Sequence, residues 1–196
     1  MTRRSAFFDL QNIKGAMNIL YYHGLNARLS QEKRDILERF GNVHAPEFNY
    51  SRLEGTEVYE ELFAANLLRD VDVVVGSNLG GLLAHVVHEL KDVPCLLFNP
   101  QLYKNSMGWN FESPAFYNIP ASKKMVHIVL GARNIMHSFK ENLEYIFTRV
   151  DKSKKIMVES EMAQSIPVGI FEKHADLFFK TLPTLILPTV KGIQIV

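Results

Sequence analysis

A strand-like run passes directly into a glycine-bounded turn at residues 73–81, which read Val73-Val74-Val75-Gly76-Ser77-Asn78-Leu79-Gly80-Gly81. The β-branched residues predict a buried strand that begins at residue 71. Helical spacing of apolar residues follows over residues 82–90. Glycines two positions before and two after Asn78 suit a strained turn in which a strand and a helix approach closely. We therefore predict a tight turn over residues 76–81 between a buried strand and a helix.

Strand-like and helix-like segments alternate along the rest of the chain, without internal repeats. This alternation predicts an α/β fold, a three-layer α/β/α sandwich with a mostly parallel sheet. The 196 residues suit one domain covering residues 1–196. We predict strands at residues 17–22, 43–48, 71–75, 93–98, 126–130 and 155–158, and helices at residues 30–40, 58–68, 82–90, 137–147 and 171–182.

Two segments fit neither pattern. Residues 101–123 are polar, aromatic and proline-containing without clear periodicity. Long excursions of this kind tend to be lids or binding loops, so we expect a small lid insertion that either lines a pocket or covers the core. Residues 183–196 are apolar with two prolines, and they are a candidate edge strand, in this molecule or in a homo-oligomeric partner.

Composition excludes several classes of protein. The formal net charge is +1 and the basic residues are scattered, so we expect neither a nucleic-acid nor a membrane partner. The single cysteine, Cys95, lies in an apolar run and excludes an intrachain disulfide. No apolar run approaches the roughly 20 residues of a membrane span, and the first residues lack the apolar core of a signal peptide. We expect a cytoplasmic protein without a cofactor or a metal.

Glycine two positions before and after a central residue, between a strand and a helix, is the context of the nucleophile elbow G-x-S-x-G. The central residue here is Asn78, and asparagine tolerates unusual backbone regions better than most residues. The chain resembles the α/β-hydrolase superfamily, and within it the small bacterial YqiA-like esterases. The matching pieces are Ile19-Leu20-Tyr21-Tyr22-His23-Gly24-Leu25-Asn26, the turn at residues 75–81, Phe98-Asn99-Pro100, and residues 127–134 and 162–167.

The resemblance implies a catalytic triad in the chain order Ser, Asp, His. In this family the elbow carries the serine nucleophile, a G-x-x-D turn after a strand carries the acid, and a late loop carries the histidine base. The matching places hold Asn78, Asn134 and Gln164. An amide side chain cannot act as a general base near neutral pH and is a poor nucleophile. We therefore interpret these three positions as a degenerate triad.

The resemblance also implies an oxyanion hole built from backbone N–H groups, which side-chain replacements do not remove. The matching donors are Leu25 and Leu79, and His23, Gly24 and Ser77 would surround the pocket. This cavity is expected to accept a carbonyl, a carboxylate or another small polar group.

Two classes of function remain. We favour a catalytically inactive hydrolase homologue that acts as a binding or regulatory domain, because all three triad positions changed together. The alternative is an esterase or acyl hydrolase with a relocated site, with Ser77 as nucleophile or His174 as a displaced base. His85 and His88, spaced i, i+3 on a predicted helix, are either packing residues or metal ligands.

Overall fold

One six-stranded sheet forms the centre of the computed structural model, which describes residues 17–50, 57–102, 122–134, 139–149 and 154–182. The sheet order is β2-β1-β3-β4-β5-β6, and every neighbouring pair is parallel. The strands are β1 (Met17–Tyr22), β2 (Gly41–His44), β3 (Val73–Ser77), β4 (Cys95–Phe98), β5 (Val126–Gly131) and β6 (Lys154–Glu159), and the helices are α1 (Gln31–Glu38), α2 (Glu57–Leu62), α3 (Ala65–Leu68), α4 (Leu79–Lys91), α5 (Phe139–Arg149) and α6 (Val168–Thr181).

Helices cover both faces of the sheet and create two hydrophobic cores. On one face, Leu62 of α2, Leu68 of α3, Val87 of α4 and Ile146 of α5 pack against alternate strand residues. The opposite face is covered by α1 and α6, with Leu37, Phe171 and Phe178 among the buried residues. Strands buried on both faces are typical of parallel sheets. The predicted three-layer α/β/α sandwich is confirmed.

The strand order reverses between β1 and β3. After β1 the chain passes through α1 to β2 on one side, and after β3 it passes through α4 to β4 on the other side. In open α/β sheets, ligands bind outside the carboxyl ends of the strands at such a switch point. Tyr22 is paired with Gly76 in the sheet, so the turns that follow β1 and β3 emerge side by side at this point.

Three predicted elements differ from the structure. The second strand lies at Gly41–His44 rather than at residues 43–48. Its expected end joins a loop, because the Phe48 N–H donates to the His23 side chain instead of to a strand. The helix predicted at residues 58–68 is two short helices, because Ala64 adopts φ −50° and ψ 135° between them. The turn predicted at residues 76–81 shrinks to Asn78, since β3 includes Ser77 and α4 begins at Leu79.

The predicted lid at 101–123 falls mostly outside the described residues, and the predicted edge strand at residues 183–196 falls outside them entirely. At the described ends of the excursion, Leu102 N–H donates to Asn142 Oδ1 over 3.1 Å. Ser122 is attached to α4, because its N–H donates to Glu89 Oε2 over 2.8 Å and its hydroxyl donates to Asp92 Oδ1 over 2.7 Å. Among the described residues, no helix has the length and apolar character needed to cross a bilayer.

Replacing Gly80 with alanine is expected to destabilise the fold by about 2–3 kcal/mol, because overpacking forces backbone shifts. A Cβ at this position would collide with the carbonyl oxygens of Tyr22 and His23. The matched control is Gly169→Ala in α6, where an added Cβ meets nothing within 4 Å. Urea unfolding of both variants checks this prediction, and equal midpoints for the two would contradict the close approach of α4 to β1.

Candidate functional site

Asn78 forms the turn between β3 and α4 with φ 51° and ψ −117°. A non-glycine residue in such a region costs about 1–3 kcal/mol and persists only where its surroundings hold it. Here the Asn78 N–H donates to Phe98 O over 2.9 Å, and its carbonyl accepts the N–H groups of Gly81 and Gln101 over 2.9 and 3.3 Å. The unusual backbone that the glycine spacing predicts at Asn78 is therefore present. Hydrogen bonds with β4, with α4 and with Gln101 hold it in place.

The turn after β1 lies directly beside Asn78. A Cβ added to Gly24 would stand 3.3 Å from both Cβ and Nδ2 of Asn78, so the two turns are closely packed. Leu25 follows on the surface with 36% exposure, whereas Leu79, the first residue of α4, is buried. The first N–H groups of a helix have no partner within the helix. The oxyanion-hole role of the Leu25 and Leu79 amides remains a prediction.

His23 holds the loop after β2 against this turn. Its Nε2 accepts the Phe48 N–H over 2.9 Å, so the proton lies on Nδ1, which donates to Gly24 O over 2.7 Å. The Tyr50 hydroxyl donates to His23 O over 3.0 Å. Both imidazole nitrogens are thus engaged with backbone groups, and His23 is a structural residue rather than a base.

Gln164 reaches Asn78 through its backbone. Asn78 Nδ2 lies 3.5 Å from Gln164 O, at the long limit of a hydrogen bond, while the Gln164 side chain is exposed. Asn134 lies in the turn after β5, where its N–H donates to Gly131 O over 3.2 Å. Arg133 N–H donates to Met162 O over 3.1 Å, so this turn is attached to the loop of Gln164. The structure therefore brings two of the three predicted positions, Asn78 and Gln164, into contact and places Asn134 on the adjoining turn.

Asn99 is a fourth amide at this edge, and the prediction of site residues missed it. It follows β4 with φ 45° and is 2% exposed. Its Oδ1 accepts the Gly131 N–H over 2.7 Å, and its Nδ2 donates to Ala163 O over 2.7 Å. The available signal was its position directly after a buried strand, at the same end of the sheet as the turn at Asn78.

Ser77 points away from the candidate site. It is 5% exposed, and its hydroxyl is hydrogen-bonded to the Tyr21 hydroxyl over 2.8 Å. Burial raises the pKa of Tyr21 to about 12, despite the opposing effect of the bond to Ser77, so the phenol stays protonated near neutral pH. A protonated phenol cannot activate a serine as a general base does. The Ser77 side chain is therefore bonded to β1 and does not line the pocket as the resemblance implies.

His174 is buried in α6. Its Nε2 is bonded to Glu159 Oε1 over 2.6 Å, and its ring packs edge-on against Phe98 and His127. Burial lowers the pKa of His174, and the bond to Glu159 opposes this effect. At 1% exposure, this imidazole cannot reach a substrate as a displaced base without a rearrangement of α6.

His85 and His88 belong to the packed side of α4. His88 Nδ1 is hydrogen-bonded to Val93 O over 2.6 Å, and each Nε2 lies 3.7 Å from Glu89 Oε1. Burial lowers the pKa of His85 to about 3, with a smaller effect from His88. Across the described ranges, no group of three His, Cys, Asp or Glu side chains has the arrangement of a metal site.

A family comparison matches the half of the chain that contains the turn at Asn78. The sequence model of the Uncharacterised protein family (UPF0227) matches residues 18–110, a little under half of the chain. The matched region runs from β1 past β4, so it includes Asn78 and Asn99 but neither Asn134 nor Gln164. No curated protein sequence matches the chain significantly.

Solved structures of hydrolases share the architecture at low identity. A carboxylesterase from Bacillus cereus is 16% identical, with a TM-score of 0.58 over 84% of this chain and 88% of that one. Est1E from Butyrivibrio proteoclasticus with bound ferulic acid is 11% identical, with a TM-score of 0.61 over 84% and 88%. An alpha-beta serine hydrolase homologue from Coxiella burnetii is 11% identical, with a TM-score of 0.59 over 88% of each chain.

The chain has the fold of the α/β-hydrolase superfamily. This confirms the fold that the turn at Asn78 and the His23-Gly24 turn indicate. At these identities the likeness establishes the architecture, whereas activity depends on the side chains at the site.

Acid is expected to destabilise the protein through His85. The folded pKa near 3 lies below the ordinary value of 6.5, so stability is intact above pH 6.5 and falls as the pH drops from there toward 3. One such group lowers the free energy of unfolding by about 2 kcal/mol between pH 7 and pH 5. His85→Gln removes this contribution, and urea unfolding at the two pH values measures it.

The matched control for this experiment is His44→Gln, which removes an exposed imidazole on β2. If the wild-type protein and His85→Gln lose the same free energy of unfolding between pH 7 and pH 5, buried His85 is not the cause of the acid sensitivity.

Proposed function

We propose that this protein is a catalytically inactive α/β-hydrolase homologue whose former active site binds a small molecule that carries a carbonyl or carboxylate group. The observation that carries this proposal is the amide of Asn78. It occupies the strand-to-helix turn where a nucleophile would stand, and its Nδ2 faces a backbone carbonyl, Gln164 O, at 3.5 Å. A nucleophilic serine would instead need a general base within hydrogen-bond reach of its hydroxyl.

The described groups around Asn78 support the loss of catalysis. Asn99, Asn134 and Gln164 are neutral amides, and none of them takes up a proton near neutral pH. Of the described histidines near this edge, His23 bonds two backbone groups and His174 is buried with Glu159, so neither is available as a base. The described part of the site therefore has hydrogen-bonding groups of fixed position but no base beside Asn78.

The backbone around Asn78 supports a binding role. The N-terminus of α4 starts immediately after Asn78, and helix N-termini favour negative charge and carbonyl oxygens through their N–H groups and dipole. The Leu25 and Leu79 amides would donate to one ligand oxygen, as in the oxyanion hole of an active relative. Since both donors belong to the backbone, the replacement of catalytic side chains leaves them in place.

Binding is tested with butyrate and methyl butyrate in amide-resolved NMR titrations. The expected result is a saturable change at the Leu25 and Leu79 amide resonances, because these donors share one ligand oxygen. Gly169 in α6, which has open space around it, is the internal control and should not respond. Unchanged Leu25 and Leu79 resonances with both compounds would contradict the binding proposal.

The wild-type protein is expected not to react with a fluorophosphonate, and Asn78→Ser alone should react almost as little, because Gln164 cannot take a proton from the serine. The triple variant Asn78→Ser, Asn134→Asp, Gln164→His is expected to gain short-chain ester hydrolysis and to carry the label at residue 78. Residual catalysis by an oxyanion hole and binding alone is only about 10³–10⁴ over water. Intact mass and peptide mapping give the extent and position of labelling.

The relocated-site esterase is the alternative outcome of the same measurement. Labelling of the wild-type protein at a serine, with activity lost in Ser77→Ala or His174→Ala, would overturn the proposal of an inactive enzyme. A correctly folded triple variant without labelling would show that the site has diverged beyond these three side chains.

A further inference from the structure

We propose that Asn99 is the positioning residue of the candidate site, and that its single amide holds the loops of Asn134 and Gln164 against the turn of Asn78. This inference rests on the proposed function, because it assigns the residue that gives the binding site its geometry.

The Asn99 side chain joins two loops that are distant in the sequence. Its Oδ1 accepts the N–H of Gly131, at the start of the Asn134 turn, over 2.7 Å. Its Nδ2 donates to Ala163 O over 2.7 Å and lies 3.5 Å from Gln164 O. Only a side chain with an acceptor and a donor on the same carbon makes both contacts, so an amide suits this position and a carboxylate does not.

Asn99 and Asn78 meet at the same acceptor. The Nδ2 atoms of both residues lie 3.5 Å from Gln164 O. The carbonyl has two lone pairs and can accept from both. Because the stronger bond of Asn99 to Ala163 O fixes this segment, Asn99 sets where Gln164 O stands relative to the Asn78 amide.

The backbone of Asn99 makes the arrangement rigid. Asn99 N–H donates to Val129 O over 2.8 Å, and Phe98, the residue before it, accepts the Asn78 N–H over 2.9 Å. The left-handed φ of 45° is tolerated by asparagine better than by most residues. The residue is also 2% exposed, so water cannot readily substitute for its two bonds.

The test uses two substitutions that separate the two halves of the amide. Asn99→Asp keeps an acceptor for Gly131 N–H but places an oxygen against Ala163 O. We therefore expect Gly131 to keep its protection from hydrogen exchange, while the Asn78 side-chain amide resonance shifts.

Asn99→Gly tolerates the positive φ and removes both side-chain hydrogen bonds. It should lower the protection of Gly131 N–H by about 10-fold, as expected for the loss of one buried hydrogen bond, and it should also shift the Asn78 resonance.

Two control variants exclude a general loss of stability. Asp92→Gly removes a side-chain hydrogen bond at an exposed residue that also has a positive φ, 50°, at the opposite end of α4. Ile146→Val mildly destabilises the core, because Ile146 of α5 is fully buried. Neither variant should shift the Asn78 side-chain amide resonance or change the hydrogen-exchange protection of the Gly131 N–H. If Asn99→Asp does not fold, Asn99→Gly alone decides the outcome.

The inference is overturned if Asn99→Gly leaves the Gly131 protection and the Asn78 resonance as in the wild type, or if Ile146→Val reproduces both changes. Butyrate titration keeps the two proposals apart. If the wild-type protein does not bind butyrate but Asn99→Gly shows the expected changes, the proposed function is wrong and the positioning role of Asn99 is supported. If the wild-type protein binds butyrate, Asn99→Gly should raise the Kd at least about 10-fold, because a displaced polar group at the site no longer forms its hydrogen bond.

Discussion

Gly80 brings the first turn of α4 against the carbonyl oxygens of Tyr22 and His23, where no side chain fits. This close approach places the turn after β1 beside the turn after β3, and it leaves Asn78 as the only residue between β3 and α4. A strand and a helix joined through one residue require a backbone in an unfavourable region. Asn78 is held there because its N–H donates to Phe98 O at the end of β4 and its carbonyl accepts the N–H of Gln101, so the position of the site depends on this packing.

The chemistry of this edge comes from neutral amides. Asn78, Asn99 and the carbonyl of Gln164 form hydrogen bonds without any ionisable group. Such a network keeps its geometry across a wide pH range, because none of its members titrates near neutral pH. Within the described residues this network has no base, which distinguishes it from the triad of active hydrolases. The arrangement suits recognition of a polar group better than transfer of a proton.

Four buried histidines outside the candidate site act on stability. His85 and His88 pack on the buried side of α4, whereas His127 and His174 pack between the sheet and α6. Burial lowers the pKa of all four imidazoles. The interior therefore favours their neutral forms, and these four histidines make the fold sensitive to acid.

The sequence by itself determined the α/β architecture and the turn at Asn78. These depend on local signals, namely β-branched runs, helical spacing and the glycines at 76 and 80, which act over a few residues of backbone. The tertiary structure alone decided the break at Ala64, the Tyr21 partner of Ser77, the burial of His174 and the hydrogen-bond partners of Asn99. Asn99 bonds residues 32 and 64 positions away, and partners at such separations are fixed by strand order and register, which no local pattern encodes.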